Sequence, residues 1–367
     1  MRLRVRILVT TLLLSLFGLV MIYSASSYSA KIHFGDEFHY VKKQALAFFV
    51  GIAAMIAGAK MKTELLKKIR WIIYGTAMTL LLILFIPGVG SSSYGATRWI
   101  DLKIITFQPS EIAKFALVIL LAGEFSERPP VSFKYAILPA LSGLLMCVAV
   151  MMEPNMSITM CIGLTMLAML FCGGMRGKYF LFASSTAAAG VPALIFAEPY
   201  RVKRLLAFLN PWDSPLEEGY QLIQSYYALG SGGLFGVGLF ASRQKYLFLP
   251  FAESDFIFSV IGEELGLFGS VLVLGVFFIL IVSGVMVAMR AEDRYNSLLA
   301  AGITSVIAVQ TLINIAVVSG SIPPTGLPLP YISAGGSSLI VFMFASGLLM
   351  NIAKRENTVH SINKNKK

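Results

Sequence analysis

Side chains that could carry out chemistry concentrate in one segment of the chain, residues 199–269. Asp255 stands there just before an apolar run, and two adjacent acids, Glu263 and Glu264, follow it. The segment also holds five basic residues in two groups, Arg201, Lys203 and Arg204, then Arg243 and Lys245. A carboxylate can take a proton as a general base, and basic side chains bind phosphate. The segment therefore has the side chains for acid–base chemistry on a molecule with an anionic head group.

Asp255 admits two interpretations. Asp is a preferred N-cap residue, so its place directly before an apolar helical run predicts that its side chain caps that helix. The alternative is a general base at the mouth of a membrane cavity, where burial raises a carboxyl pKa towards the working range. Both can hold together, because a capping side chain is rigidly placed. Of the pair Glu263 and Glu264, we expect one to face the interior of the helix bundle.

The basic residues of the segment also admit two interpretations. All five could bind an anionic head group, namely Arg201, Lys203, Arg204, Arg243 and Lys245. The planar fork of arginine suits this role because it donates two hydrogen bonds to phosphate at once. The alternative is that these side chains reach towards lipid phosphates, as any basic residue at a membrane surface does.

Two further features lie beside the predicted spans. Glu111 and Lys114 are three residues apart at the start of one span, which puts them on one helix face, where they can pair. They form either a structural ion pair or the polar wall of an outer cavity. The stretch 319–338 holds four prolines and several glycines, which forbid regular helix, and it is either a second wall of that cavity or a tight outer turn.

The composition indicates a membrane protein. Hydrophobic residues make up 57% and charged residues 13% of the chain, and the mean hydropathy is +0.77. A water-soluble chain of 367 residues could not cover its surface with so few charges. The sequence predicts an all-α polytopic membrane protein, one domain of residues 1–367. Its ten transmembrane helices are expected near 7–28, 44–60, 71–87, 109–123, 135–152, 156–172, 180–197, 256–288, 299–320 and 331–352.

Basic residues orient these spans. With a cytoplasmic N-terminus, the cytoplasmic segments carry nineteen Lys and Arg residues and the short outer loops carry five, Lys31, Lys42, Lys43, Arg98 and Lys103. This asymmetry predicts that both termini are cytoplasmic and that the large loop 198–255 is extracytoplasmic. Nine further spans follow the first helix, so we expect that it is not cleaved as a signal peptide. The net charge of +11 therefore reflects topology and attraction to membrane lipid rather than a nucleic-acid partner. Every other connection is expected to be a simple turn.

Other classes of site have no support. Cys147, Cys161 and Cys172 fall within or at the ends of spans, and the three histidines are scattered, so we expect no disulfide framework and no metal site. The glycine pattern at 236–241 follows no predicted strand and is a chance match to a dinucleotide motif, and no phosphate-binding loop for ATP exists.

Seven ordered motifs together resemble the SEDS family (shape, elongation, division and sporulation) over nearly the whole chain. They lie at 95–100, 108–114, 204–211, 219–221, 231–236, 254–258 with 263–266, and 325–338. The residues at 242–245 and 254–255 resemble the FtsW/SpoVE branch more than the RodA branch. Two positions depart from the family pattern. Glu153-Pro154-Asn155 stands where Gln-Pro-Asp is frequent, and Ala334 stands where Tyr is usual.

The resemblance implies a peptidoglycan glycosyltransferase that polymerises lipid II and releases undecaprenyl pyrophosphate, for division or sporulation. It implies Asp255 as the base. Head-group or pyrophosphate contacts would come from a larger set, Arg98, Arg201, Arg204, Lys245, Glu111, Lys114 and Glu263. No cofactor is required, although a divalent cation such as Mg²⁺ or Mn²⁺ could share the charge. The implied partners are a class B penicillin-binding protein and other division or sporulation membrane proteins.

Two other functions fit the same pattern of spans. A flippase or transporter of a lipid-linked precursor would also use broken helices and intramembrane charge. A non-catalytic scaffold of the division machinery would need only the membrane fold. Polymer formation from lipid II by the purified protein distinguishes the enzyme from both.

Overall fold

The computed structural model describes residues 2–86, 90–93, 96–101 and 106–364, and these are mostly helical. The helices are α1 Leu3–Phe34, α2 His39–Lys60, α3 Thr63–Lys68, α4 Arg70–Ile83, α5 Pro109–Glu127, α6 Phe133–Met152, α7 Met156–Cys172, α8 Gly177–Phe196, α9 Pro199–Leu209, α10 Tyr220–Gly232, α11 Ile257–Arg290, α12 Arg294–Val318 and α13 Gly336–Lys364. The strands are β1 Gly90–Ser93, β2 Ala96–Asp101 and β3 Thr106–Phe107. Four residues of the sequence predictions lie outside the described residues. They are Gly95 of the 95–100 motif, Lys103 of the outer loops, and Lys366 and Lys367, which are two of the nineteen cytoplasmic basic residues.

Each of the ten predicted spans corresponds to a helix. Within the described chain, seven helices are long and apolar enough to cross a membrane, namely α1, α2, α6, α8, α11, α12 and α13. Two shorter apolar helices, α4 and α7, occupy the third and sixth predicted spans, and α5 occupies the fourth. The polytopic helical architecture is therefore confirmed, and the total of ten crossings stays a prediction. The last span begins later than predicted, at Gly336 rather than 331, because the proline-rich stretch before it is irregular.

The connection between α4 and α5 is not the simple turn that the sequence predicted. It contains a three-stranded antiparallel sheet in the order β1-β2-β3, with Gly90 opposite Ile100 and Asp101 opposite Thr106. The short polar strands lack the apolar alternation that signals a sheet in sequence. The sheet matters for the site because β2 carries Arg98.

The long helix α11 is broken at Gly266, which has φ 68° and ψ −167°. A break in a helix frees backbone groups that must find other partners at membrane depth. The glycine-rich turn after α10 supplies them, since Leu267 donates to the Gly233 carbonyl (2.9 Å) and Val237 donates to the Glu263 carbonyl (2.9 Å). The break separates a short first segment from a long apolar one. The apolar pattern predicted one span over 256–288 and gave no sign of this break.

Helices α2 and α13 pack with their backbones in close contact. A Cβ added at Gly347 would lie 2.1 Å from the Met55 carbonyl oxygen, and one added at Gly58 would lie 2.5 Å from the Phe344 carbonyl oxygen. Small residues of this kind allow membrane helices to approach closely. The pairing holds α13, and with it the irregular stretch that precedes α13, against the rest of the bundle.

We predict that Gly347→Ala destabilises the protein by about 1–3 kcal/mol, because the added methyl group forces α2 and α13 apart. Gly75→Ala is the matched control, since Gly75 is an exposed helical glycine with open space around its Cβ position. Thermal unfolding of the detergent-solubilised protein measures both variants. Equal melting temperatures for the two variants would contradict the close packing.

Candidate functional site

Asp255 lies in a turn just before α11 and does not cap that helix. The N-cap residue is Phe256, whose carbonyl accepts the first hydrogen bond, from the Ser259 amide (2.9 Å). The helix therefore starts one residue later than a capping Asp255 requires. The cap interpretation was wrong, and the carboxylate is left free for another role.

The backbone around Asp255 is fixed against the proline-rich segment, which we define as residues 319–335. Asn314 of α12 donates from Nδ2 to the Asp255 carbonyl (2.8 Å) and to the Leu327 carbonyl (2.7 Å). The Ala334 amide donates to the Glu253 carbonyl (2.9 Å). These bonds hold the chain on both sides of the aspartate, so its side chain has a defined position.

The proline-rich segment also lies against the Asp255 carboxylate itself. A Cβ at Gly326 would lie 3.1 Å from Oδ2 of Asp255, and Gly326 has a positive φ of 70°. Only glycine combines this backbone conformation with such a close approach without strain. The segment therefore forms one wall of the candidate site, and its lining of an outer cavity stays a prediction.

The charges of two arginines and one further acid affect the pKa of Asp255. Burial raises the pKa of the Asp255 carboxyl to about 6, and the negative charge of Glu253 acts in the same direction. The positive charges of Arg98 and Arg204 oppose this rise. A carboxyl with a pKa of about 6 is largely ionised at neutral pH and is still basic enough to accept a proton.

Arg204 lies on helix α9, which carries the first of the two basic groups of the segment 199–269. Its Nη1 atom donates to the Pro324 carbonyl (3.2 Å), and its guanidinium lies 4.7 Å from the centroid of the Tyr200 ring. Arg201, on the same helix, donates to the Leu194 carbonyl (2.7 Å) at the end of α8. Arg204 is therefore directed towards the site, and Arg201 is bound to the neighbouring helix.

Arg98 is held by the turn between α6 and α7. Its Nε atom donates to the Glu153 carbonyl (3.2 Å), and its Nη2 atom donates to the Pro154 carbonyl. Burial lowers the pKa of the Arg98 guanidinium, and the nearby Tyr200 and Asp255 partly oppose this fall. Two residues after this turn, Ser157 donates to the Thr325 carbonyl. The sheet, the α6–α7 turn and the proline-rich segment thus meet at one place.

Lys245 and Glu263 belong to a second cluster. Both glutamates of the pair 263 and 264 are buried, where the sequence predicted one. Glu263 accepts hydrogen bonds from the Ser242 hydroxyl (2.5 Å) and the Arg243 amide (2.9 Å), and Lys245 forms an ion pair with Glu264 (3.5 Å). These contacts fix the loop 242–245 to α11. A direct substrate contact by Lys245 or Glu263 stays a prediction.

Glu111 and Lys114 form the predicted ion pair, with 2.9 Å between Oε1 and Nζ and no exposed surface on either side chain. Lys114 also donates to the Gln310 side chain, and Ser338 donates to Oε2 of Glu111 (2.9 Å). Gln310 in turn donates to the Pro328 carbonyl (2.9 Å). Complete burial favours the structural ion pair over a cavity wall, and the network positions the proline-rich segment. A substrate contact by either residue stays a prediction.

Gln310 and Asn314, whose side-chain amides hold the proline-rich segment, were not among the predicted site residues. Both are buried in α12 at a spacing of four residues. This spacing places them on one helix face, and side-chain amides inside an otherwise apolar span were the available signal.

The arrangement offers cationic groups and a base but no evident metal site. Among the described residues, no group of three or more His, Cys, Asp or Glu side chains is placed to hold a metal ion. The site can therefore bind an anionic group through Arg98 and Arg204 and can accept a proton at Asp255.

Comparison with known proteins identifies close relatives over nearly the full length. The family profile of FtsW, RodA and SpoVE, described as "Cell cycle protein", matches residues 4–358. Stage V sporulation protein E of Bacillus subtilis (strain 168) is 40% identical over 95% of this chain and 96% of its own. The probable peptidoglycan glycosyltransferase FtsW of Geobacter metallireducens is 39% identical over 95% of this chain and 94% of its own.

Solved structures show the same fold. A chain from a peptidoglycan synthase complex that coordinates polymerization and crosslinking is 26% identical, with a TM-score of 0.80 over 95% of this chain and 97% of that one. The rod shape determining protein RodA of Thermus thermophilus has a TM-score of 0.71 over 95% of this chain and 96% of its own. Its 23% identity supports the fold alone.

We predict that Lys114→Met destabilises the protein by about 3–5 kcal/mol, because it leaves the Glu111 carboxylate buried without its partner. The double variant Glu111→Gln with Lys114→Met should recover most of this loss, since it removes both charges. Thermal unfolding in detergent measures both. A double variant as unstable as Lys114→Met alone would contradict a structural ion pair.

Proposed function

The chain belongs to the FtsW/RodA/SpoVE family of cell-cycle proteins, and we propose that Asp255 is the general base of its peptidoglycan glycosyltransferase activity. The substrate is lipid II, whose glycan units are joined into strands for division or sporulation. The observation that carries the proposal is the Asp255 carboxylate, which does not cap α11, is fixed through its backbone, and has a pKa that the charges of Arg98 and Arg204 lower.

The reaction follows from these groups. The 4-hydroxyl oxygen of the acceptor sugar attacks the anomeric carbon of the donor, and its proton passes to Asp255. The bond between the anomeric carbon and the phosphate oxygen breaks, and its electron pair leaves with undecaprenyl pyrophosphate. A single displacement inverts the anomeric configuration to a β-1,4 link. The charge that develops on the leaving oxygen needs cationic partners nearby.

Arg98 and Arg204 are the proposed partners of the pyrophosphate. Their guanidiniums act on Asp255 electrostatically, and Arg204 is also bound to the wall of the site at Pro324. Arg201 lies on the same helix as Arg204 and is proposed to bind the head group at its edge. A divalent cation bound mainly by the pyrophosphate could share the charge, and it would not require a preformed ligand cluster.

The membrane orientation and the partner are also proposals. The chain is a multi-pass membrane protein, and the excess of nineteen basic residues over five supports a site on the outer face of the cytoplasmic membrane. The structural relative from a peptidoglycan synthase complex supports a class B penicillin-binding protein as the partner that crosslinks the strands.

We predict that Asp255→Asn abolishes polymerisation of lipid II by the purified protein with its class B partner, because the amide cannot accept the proton. The control is Asp36→Asn, at an exposed aspartate paired with Lys42, which should polymerise as the wild type does. Gel separation of labelled glycan strands is the measurement. Polymer from Asp255→Asn would refute the base assignment, and no polymer from the folded wild type would favour a flippase or a scaffold.

We predict that Arg204→Ala raises the KM for lipid II by roughly tenfold or more, since it removes a hydrogen-bond donor to a charged group. The melting temperature should change little, because Arg204 donates a single observed hydrogen bond to the bundle. Lys31→Ala, at an exposed lysine in the last turn of α1, is the control for loss of positive charge. An unchanged dependence of rate on lipid II concentration would count against the assignment.

A further inference from the structure

Glu153 is a buried carboxyl group that the proposed reaction does not use. It lies in the turn between α6 and α7, and the residue is 2% exposed. Neither of its side-chain oxygens, Oε1 or Oε2, has a hydrogen-bond partner. Buried polar groups almost always have hydrogen-bond partners, so a buried carboxyl group with two unpaired oxygens at the edge of a site needs an explanation.

Atoms other than those of the Glu153 carboxyl make the hydrogen bonds that hold this turn. Asn155 caps α7, with its side chain accepting from the Ile158 amide (3.3 Å). The backbone carbonyls of Glu153 and Pro154, rather than the Glu153 carboxyl, accept the hydrogen bonds of Arg98. The carboxyl therefore contributes no observed bond to the fold.

The position of the turn brings Glu153 to the proposed site. Arg98, bound to the carbonyl of Glu153, acts electrostatically on both Glu153 and Asp255. Four residues beyond Glu153, Ser157 binds the Thr325 carbonyl, and the next residue, Gly326, approaches Asp255. The hydroxyl of Thr325 is likewise buried without a partner. Unsatisfied polar atoms thus lie on the side of the site where Arg98 would hold pyrophosphate.

The protonation state of Glu153 follows from its surroundings. An ionised carboxylate buried without a hydrogen-bond partner is strongly disfavoured, so the group remains protonated. Burial raises the Glu153 pKa to about 8, and the positive charge of Arg98 opposes this rise. A protonated carboxyl has an O–H donor, whereas a carboxylate has none.

We propose that the Glu153 side chain is a neutral hydrogen-bond donor that binds a phosphate oxygen of the lipid-linked diphosphate beside Arg98. This inference rests on the proposed function for the identity of the ligand. The O–H of Glu153 and the guanidinium of Arg98 would then contact the same diphosphate, one through a neutral donor and one through a charge. Ionisation of Glu153 would remove the donor and place a negative charge against the phosphate.

Equilibrium binding of labelled lipid II to the purified full-length protein tests the proposal without turnover. The diphosphate of lipid II is esterified at both ends, and it keeps its charge between pH 7 and pH 9.5. Binding by the wild type should weaken by about tenfold or more as the pH rises through about 8, because Glu153 loses its donor. In this range Asp255 is already ionised and does not contribute to the change.

Two substitutions separate the donor from the charge. Glu153→Gln keeps an N–H donor and cannot ionise, so its affinity should lose the dependence on pH. Glu153→Met has a similar size and no donor, so at pH 7 it should bind lipid II roughly tenfold more weakly than Glu153→Gln. Glu217→Gln, at an exposed glutamate, should show the same pH dependence as the wild type.

The outcomes are distinct from those that test the polymerase. Equal affinity of the Gln and Met variants, or a pH dependence that persists in Glu153→Gln, would overturn the role of Glu153. Loss of binding in Glu153→Gln at pH 7 would also overturn it, since it would show that the negative charge is required. Wild-type protein that binds lipid II with the expected pH dependence and forms no polymer would refute the proposed function and leave the Glu153 assignment standing.

Discussion

The proline-rich segment is irregular backbone inside a helical membrane bundle, and the site depends on how its carbonyl groups are satisfied. At membrane depth an unpaired carbonyl is costly, so irregular chain persists only where protein groups bind it. Four carbonyls of the segment accept hydrogen bonds from side chains of three different helices. The pairs are Arg204 with Pro324, Ser157 with Thr325, Asn314 with Leu327, and Gln310 with Pro328. These side chains therefore define the shape of one wall of the site.

The same hydrogen bonds connect the proposed base to the helix bundle. Asn314 binds the carbonyls of both Asp255 and Leu327, so the proposed base and the wall are held by one side chain. Gln310 connects the wall to the buried Lys114, whose charge is balanced by Glu111. An ion pair deep in the bundle can in this way affect the site through position without touching a substrate.

Two kinds of buried carboxyl group occur around the site, and they differ in the number of hydrogen bonds that they accept. Glu263 is saturated with hydrogen bonds from the loop 242–245, which it anchors. Asp255 and Glu153 lack such saturation and lie within the field of Arg98. Burial raises the pKa of both, to about 6 for Asp255 and to about 8 for Glu153. At neutral pH one is then ionised and the other is not, which suits a base and a hydrogen-bond donor respectively.

The sequence by itself determined the membrane class and the approximate positions of the helices in the ten predicted spans, because runs of apolar residues report directly on burial in lipid. It also predicted the Glu111–Lys114 pair, since residues three apart share a helix face. It could not determine the sheet that carries Arg98 or the non-capping position of Asp255. Nor could it determine the hydrogen bonds of Gln310 and Asn314, or the burial of the Glu153 carboxyl without a hydrogen-bond partner. Those depend on contacts between residues far apart in the chain, and local spacing carries no information about which distant carbonyl a side chain will meet. Only the tertiary structure decided them.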